Sequence, residues 1–163
     1  MFRLNTILPF AFFAIANALP PAGTYNIISR ILSPSGQQLA VTFNGEGAAV
    51  TLQPLASTDI AQIWNLQVVT SVGMSFVPLA DSTQRIAGFQ TSGVTALSSQ
   101  ASVGTGAIFN VLQSASTGVS IGGAGPTPST FWSATDTEVG SELIFGPSPL
   151  SERQFWLLIP NNN

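Results

Sequence analysis

Apolar and polar residues along this chain alternate over short stretches, and no segment sustains the 3.6-residue period of an amphipathic helix. The first such stretch, Tyr25-Asn26-Ile27-Ile28-Ser29-Arg30-Ile31, predicts a strand that stops at the turn residues Ser33, Pro34, Ser35 and Gly36. Residues 38–43 alternate polar and apolar and run into Asn44-Gly45, a pair that predicts a hairpin-type turn. Further strands are predicted over 49–55 and 62–68, then 74–78, 85–89, 93–97 and 107–112, and finally 119–122, 130–134, 142–145 and 154–159. The Asn161-Asn162-Asn163 tail reads as frayed.

One short pattern occurs three times in this series. Gln62-Ile63-Trp64-Asn65-Leu66, Ala107-Ile108-Phe109-Asn110-Val111 and Gln154-Phe155-Trp156-Leu157-Leu158 place an aromatic residue at intervals of 45 and 47 residues. A period of that size marks a repeated supersecondary unit. Three units fit the chain, at about 23–69, 70–114 and 115–160, each with four strands. Trp64, Phe109 and Trp156 are then repeat anchors in the core, with Gln62 and Gln154 bonded to backbone. Two all-β architectures have this count. A three-bladed propeller has fewer blades than propellers ordinarily carry. A β-trefoil uses two strands of each unit for a barrel wall and two for a cap, and closure removes the exposed edges that so few charged residues would otherwise guard. The expected fold is therefore a single β-trefoil over 19–163.

The N-terminus has a different character. Arg3 precedes an almost wholly apolar run over 7–15, followed by Ala16-Asn17-Ala18, small residues where a signal peptidase reads them. The expectation is a secretory signal over 1–18, cut after Ala18; the alternative is a buried N-terminal helix. The run is too short to span a bilayer. Beyond it, Arg30, Arg85 and Arg153 face seven carboxylates, with no lysine, so the remainder carries four net negative charges. That balance argues against nucleic acid as a partner, which needs clustered cations, and against charge-driven binding to an anionic membrane. With charged residues at 7% of the chain, solubility must rest on Ser, Thr, Asn and Gln. There is no cysteine, so the core has to hold without disulfides, and no Asn-x-Ser/Thr sequon.

Candidate chemistry is sparse. The absence of histidine and cysteine removes the usual general bases, thiol nucleophiles and most transition-metal ligands. Asp136, Glu138 and Glu142 form the one carboxylate cluster. Three carboxylates in one turn do not suggest the opposed pair of a glycosidase, and their spacing matches no EF-hand, so a solvated loop is expected. Asn44-Gly45-Glu46-Gly47 lacks the residues that complete a phosphate loop. No enzyme, cofactor or metal is expected.

Several of these segments carry a family resemblance. Leu32-Ser33-Pro34-Ser35-Gly36, Leu39-Ala40-Val41-Thr42-Phe43-Asn44-Gly45 and Val50-Thr51-Leu52-Gln53-Pro54-Leu55 resemble the opening repeat of small mushroom ricin-B-like lectins. Thr130-Phe131-Trp132-Ser133 and Glu142-Leu143-Ile144-Phe145-Gly146 resemble the third repeat, and the Gln-x-Trp-like triplet is shared by the wider ricin-B superfamily. The resemblance implies a β-trefoil that binds glycans or glycoproteins without catalysis, with GlcNAc-containing or fucosylated cores among the ligands and often a defensive role. It also implies a site in the second repeat, made by an aromatic after a glycine and by the strand that ends in the repeat's aromatic. Those positions are Phe89 after Gly88, and Gly106, Ala107 and Ile108 before Phe109, with Leu97 between them. Phenylalanine stands where the family has tryptophan at both places, Ala107 stands in place of a tyrosine, and a polar segment over 98–106 reads as a lengthened loop.

Sugar recognition needs an apolar face for the ring's C–H side and a few fixed hydrogen-bonding groups. Phe89 suits that role or a core position equally well. Because Phe131 and Trp132 are adjacent in a strand, one is expected to face outward; an outward Trp132 beside Ser133 and Asp136 would make a second sugar platform, and edge packing is its alternative. Tyr25 reads as a strand residue. Three functional readings follow: a secreted lectin, a protease inhibitor presenting a loop at 98–106 or 122–129, and a storage protein without a ligand. Neither loop carries a Lys or Arg for a trypsin-like pocket, and the lectin reading leads.

Overall fold

The computed structural model describes residues 19–70, 73–88, 97–103, 108–114, 118–123, 130–147 and 151–162. Twelve strands follow one another in chain order among them. They are β1 (Gly23–Ser29), β2 (Leu39–Thr42), β3 (Thr51–Pro54), β4 (Ile63–Thr70), β5 (Gly73–Pro78), β6 (Gln84–Gly88), β7 (Leu97–Val103), β8 (Asn110–Ser114), β9 (Gly118–Gly122), β10 (Thr130–Ala134), β11 (Leu143–Pro147) and β12 (Trp156–Pro160). Six of them close a ring: β1 pairs with β4, β4 with β5, β8 with β9, β9 with β12 and β12 with β1. A bridge between Met74 and Phe109, with hydrogen bonds of 2.8 Å in both directions, completes the circuit between β5 and β8. The other six form the hairpins β2–β3, β6–β7 and β10–β11, which lie over one end. Those hairpins are tied together by pairing of β7 with β11 and by a Thr51–Glu142 bridge. This is the β-trefoil: a six-stranded barrel under a cap of three hairpins.

The pseudo-threefold relation is exact enough to read in the register. Each repeat aromatic lies opposite the first strand of its own unit: Trp64 faces Tyr25, Phe109 faces Met74, and Trp156 faces Val119. All three aromatics are essentially fully buried. Truncating a core anchor of this size to alanine costs about 3–5 kcal/mol. The indole N–H of Trp64 donates to the carbonyl of Val41 in the first hairpin (2.8 Å), and that of Trp156 donates to the carbonyl of Trp132 in the third (3.3 Å).

The glutamines do not lie in strands, as the sequence pattern suggested. Gln62 and Gln154 end the short 3-10 turns Ile60–Gln62 and Glu152–Gln154, immediately before or one residue before the aromatic strand begins. From there each amide spans two backbone groups. Gln62 accepts from the Ala56 N–H (2.8 Å) and donates to the Pro54 carbonyl (2.9 Å). Gln154 accepts from the Ser151 N–H (2.6 Å) and donates to the Pro147 carbonyl (3.3 Å). The corresponding position in the second repeat is Ala107, outside the described residues.

Three further expectations need correction. Residues 98–103 are not loop: Leu97–Val103 is a strand that pairs with β6 at five positions, from Gln84 opposite Val103 to Gly88 opposite Ser99. Its small polar residues still alternate with Leu97, Ala101 and Val103, a period of two that the serines obscured. One of the two loops offered for protease inhibition is thereby lost over those residues; in the other, residues 124–129 lie outside the described residues. The β2–β3 connection spans 43–50, and the turn expected at Asn44-Gly45 lies within it, closed by the Ala48 N–H on the Gly45 carbonyl. There, Gly45 and Gly47 adopt positive φ, and the Asn44 amide donates to the Ala49 carbonyl and to Thr51 Oγ1. The tail is not frayed at Asn161, which is buried and bonded to Thr24, Asn26 and Ser57.

The third correction is Trp132. It is completely buried, and so cannot be an outward sugar platform. Phe131 does face the other side of β10, but that side is covered as well, leaving it 5% exposed. Trp132 belongs to an aromatic cluster at the core, with ring centroids 4.7 Å from Phe76 and 5.1 Å from Phe109, while Phe109 stacks on Phe145 at 5.8 Å. The smaller ring of Phe109, where the other repeats have tryptophan, is thus backed by a tryptophan from the neighbouring repeat. The Trp132 indole N–H is buried without a partner, a cost of about 1–3 kcal/mol relative to a paired one.

Candidate functional site

The second-repeat residues are only partly within the described chain. Phe89, Gly106 and Ala107 lie outside it. Leu97 opens β7 and pairs with Phe145 of β11. Gly88 ends β6 opposite Ser99, two residues along the same strand from Leu97. Ile108 is half-buried and directly precedes Phe109, whose ring stacks on that of Phe145. The backbone therefore brings Gly88 and Leu97 together in the cap, whereas Ile108 precedes a barrel residue, Phe109, whose ring stacks on that of Phe145.

A concavity that the sequence did not signal lies in the third repeat. It encloses about 350 Å³ between the outer face of the β10–β11 hairpin and the turn that carries Gln154. Its walls are Ser133 and Thr135 on β10 and the residue after it, Ile144, Gly146 and Pro147 on β11, and Ser151, Arg153 and Gln154. Alternation along the strands explains the lining. Trp132 and Phe145 point to the core, so their neighbours Ser133, Ile144 and Gly146 face the other way. The floor is fixed, because both ends of the Gln154 amide are bonded to backbone.

Arg153 edges this pocket. Its Nη1 donates to the Thr135 carbonyl (2.8 Å) and its Nη2 lies 3.5 Å from Asp136 Oδ1. That same Oδ1 accepts from the Thr137 N–H (2.8 Å). Both side chains stay open to solvent, at 46% and 60% exposure, so the pair adds little to stability. On the other side of the turn, Arg30 pairs with Glu152 at 3.3 Å and lies 5.9 Å from the Phe155 ring centre. Asp136, Glu138 and Glu142 are exposed, and among the described residues no group of acidic side chains is placed to hold a metal ion.

A larger depression of about 630 Å³ lies at the opposite end of the barrel, where the strands lack a hairpin cap. Leu19, Pro21, Val119 and Leu158 are among its walls, and the hydroxyl of its one tyrosine, Tyr25, is already donated to the Pro21 carbonyl. Its lining is apolar and offers few fixed groups to orient a polyol.

Solved structures with the same architecture place this chain among the β-trefoils. The agglutinin of Rhizoctonia solani superposes with a TM-score of 0.70 at 17% identity, covering 89% of this chain and 99% of its own. The ricin B-like lectin of Macrolepiota procera, solved in complex with lactose, gives 0.70 at 12% identity over 87% and 98% of the two chains. The designed threefold-symmetric protein ThreeFoil gives 0.70 at 15% identity over 84% and 98%. No curated protein sequence matches. The sequence over 23–156 matches the family model described as CCL2 lectin-like, and the chain belongs to that family. Membership sets it among lectin-like proteins and not among catalysts.

Proposed function

We propose that this chain is a secreted lectin that binds glycans on glycoproteins or related surfaces, without chemistry on them. The observation that carries the reading is the CCL2 lectin-like match across all three repeats, from residue 23 to 156. The lactose complex of the Macrolepiota procera lectin supports a sugar as the ligand of this architecture. Secretion rests on the leader-like pattern over 1–18.

Within the lectin reading, the second-repeat residues Phe89, Leu97, Gly106, Ala107 and Ile108 form the first binding region. The closeness of Gly88 and Leu97 in the cap supports it. Ligands with GlcNAc-containing or fucosylated cores are the class that the sequence resemblance favours. The substitution of Phe for Trp at 89 reduces the stacking surface offered to a pyranose ring, and the absence of a tyrosine hydroxyl at Ala107 removes a donor. Weaker and altered selectivity within that class follows.

A glycan array probed with the full chain tests this. The expected result is saturable binding to a restricted set of glycans that Phe89→Ala weakens. A blank array from protein with a cooperative thermal transition would refute the lectin reading.

A further inference from the structure

We infer that Asn44 is a spontaneous deamidation site, at which the Gly45 nitrogen displaces the Asn44 side-chain amide and the product unlocks the β2–β3 connection of the cap. The reaction is independent of the lectin reading, and Asn44 lies outside the candidate binding regions.

Residue order and local structure select the same position. Asn44-Gly45 is the one asparagine–glycine pair in the chain. Glycine has no side chain to hinder its nitrogen as it approaches the preceding carboxamide. Asn26, Asn65 and Asn110 are followed by Ile, Leu and Val, whose side chains crowd that approach, and all three lie within strands. Asn161 is buried. Asn44, by contrast, is exposed on the connection over 43–50, so water reaches it and ammonia can leave. Gly45 has φ +106°, with nothing within 4 Å of where a Cβ would stand. Its N–H donates to no group among the described residues. The nucleophile therefore gives up no hydrogen bond within the protein when it attacks.

The chemistry balances with water and hydroxide. The Gly45 nitrogen loses its proton to hydroxide and attacks Asn44 Cγ. The bond from Gly45 N to Cγ forms, the Cγ–Nδ2 bond breaks, and Nδ2 takes a proton from water and leaves as ammonia, which regenerates the hydroxide. The cyclic imide then adds one water. Opening at Cγ restores the ordinary main chain with aspartate at 44. Opening at the Asn44 backbone carbonyl gives isoaspartate, whose main chain runs through Cγ and is longer by one methylene.

The contacts of Asn44 set both the rate and the consequence. Nδ2, the leaving nitrogen, donates to the Ala49 carbonyl at 2.8 Å and to Thr51 Oγ1 at 2.9 Å. Ammonia cannot depart without giving up both bonds, so each one slows the reaction. Afterwards the carboxylate has no N–H to offer, and it would set an acceptor against the Ala49 carbonyl oxygen. The connection then keeps the Ala48 to Gly45 turn bond of 3.3 Å but loses its tie across the loop. Thr51 carries the loosening into the rest of the cap. It opens β3, pairs with Thr42 and bridges to Glu142, the residue before β11.

The test is peptide mapping by mass spectrometry of the folded full chain, held at mildly alkaline pH. The expected result is conversion at residue 44 in proportion to hydroxide, with residues 26, 65, 110 and 161 unchanged. Both aspartate and isoaspartate should form, the latter labelled by an isoaspartyl carboxyl methyltransferase. Thr51→Val removes one acceptor and should speed conversion about fivefold, the worth of one hydrogen bond; Thr51→Ser, which keeps the hydroxyl, should match the wild type. Asn44→Asp supplies a product directly and should speed amide hydrogen exchange over 45–50 about tenfold, with the barrel strands unaffected. Conversion in the urea-unfolded chain but not in the folded one overturns the site, and aspartate without isoaspartate overturns the attack by Gly45. Equal rates in Thr51→Val and Thr51→Ser overturn the restraint by Thr51. Unchanged exchange in Asn44→Asp overturns the unlocking of the connection.

Discussion

Replacing Asn161 by alanine tests how the barrel is closed at its two chain ends. The Asn161 amide donates to Asn26 Oδ1 at 2.9 Å and to the Ser57 carbonyl at 2.8 Å, while its backbone exchanges bonds with Thr24 (2.8 and 2.6 Å). Alanine keeps the backbone bonds and removes these two side-chain bonds. Asn26 is 3% exposed, so its orphaned Oδ1 has no access to water, a penalty of about 1–3 kcal/mol. Ser57 is exposed, so its carbonyl is rehydrated and adds about 0.5 kcal/mol. The expected loss is therefore about 2–3 kcal/mol, or roughly 5–10 °C in melting temperature for a domain of this length. Urea unfolding followed by tryptophan fluorescence measures it, since Trp64, Trp132 and Trp156 are all fully buried and report on the core. The exposed neighbour Asn162 is the control: its replacement should stay within about 0.5 kcal/mol. Equal effects at 161 and 162 would refute the idea that the C-terminal asparagine is a buried clasp.

Other outcomes follow from single features of the fold. Trp64→Phe and Trp156→Phe each break an indole bond to a buried carbonyl, whereas Trp132→Phe removes an N–H that has no partner; by the same urea assay, Trp132→Phe should cost about 1–2 kcal/mol less than Trp64→Phe, and equal costs would refute the orphan assignment. Gly118 has φ +94°, and a Cβ there would lie 2.3 Å from the Trp156 carbonyl oxygen. Gly118→Ala should cost more than about 3 kcal/mol or abolish folding, while Gly36→Ala, at φ +80° in open space, should cost only about 1 kcal/mol by thermal melting. The Thr83 hydroxyl, then the Thr83 N–H, and more weakly Gln84, hold the Asp81 carboxyl below its ordinary value of 3.8. A lowered carboxyl stabilises the fold above the unfolded value and loses that contribution as pH falls through the folded one. The decline in melting temperature below pH 3.8 should thus be shallower in Asp81→Asn than in the wild type; identical pH profiles would refute the Asp81 contribution.

The fold was legible because the aromatic anchors tolerate little else. Trp64, Phe109 and Trp156 must reach the barrel axis from the same strand of each unit, so their spacing survives in the sequence even where the residues between them have drifted. Features that depend on which face of a strand is covered were less legible. Alternation correctly put Phe131 and Trp132 on opposite sides of β10, but it could not reveal that both sides are covered. Likewise, three consecutive asparagines look like a tail, and only the approach of Asn26 and Ser57 makes Asn161 a clasp. The strand over 97–103 was concealed by serines because alternation between small polar and small apolar side chains has little amplitude.

The third-repeat pocket was invisible for a related reason: it is a difference between repeats, not a motif within one. Gly146 and Arg153 are unremarkable in sequence until the register aligns them with Gln53 and Ala61. The same alignment separates two kinds of position in this fold. Inward positions change together, as when the loss of a tryptophan at 109 is met by Trp132 at a centroid distance of 5.1 Å from the neighbouring repeat. Outward positions beside the glutamine turns change singly, because nothing in the core depends on them. Gln62 and Gln154 keep the turn geometry constant with the same pair of backbone bonds, so the residue preceding each glutamine can vary at little cost to stability. A scaffold whose first and third turns are held alike by Gln62 and Gln154 leaves the rim beside each turn free to differ without disturbing the core.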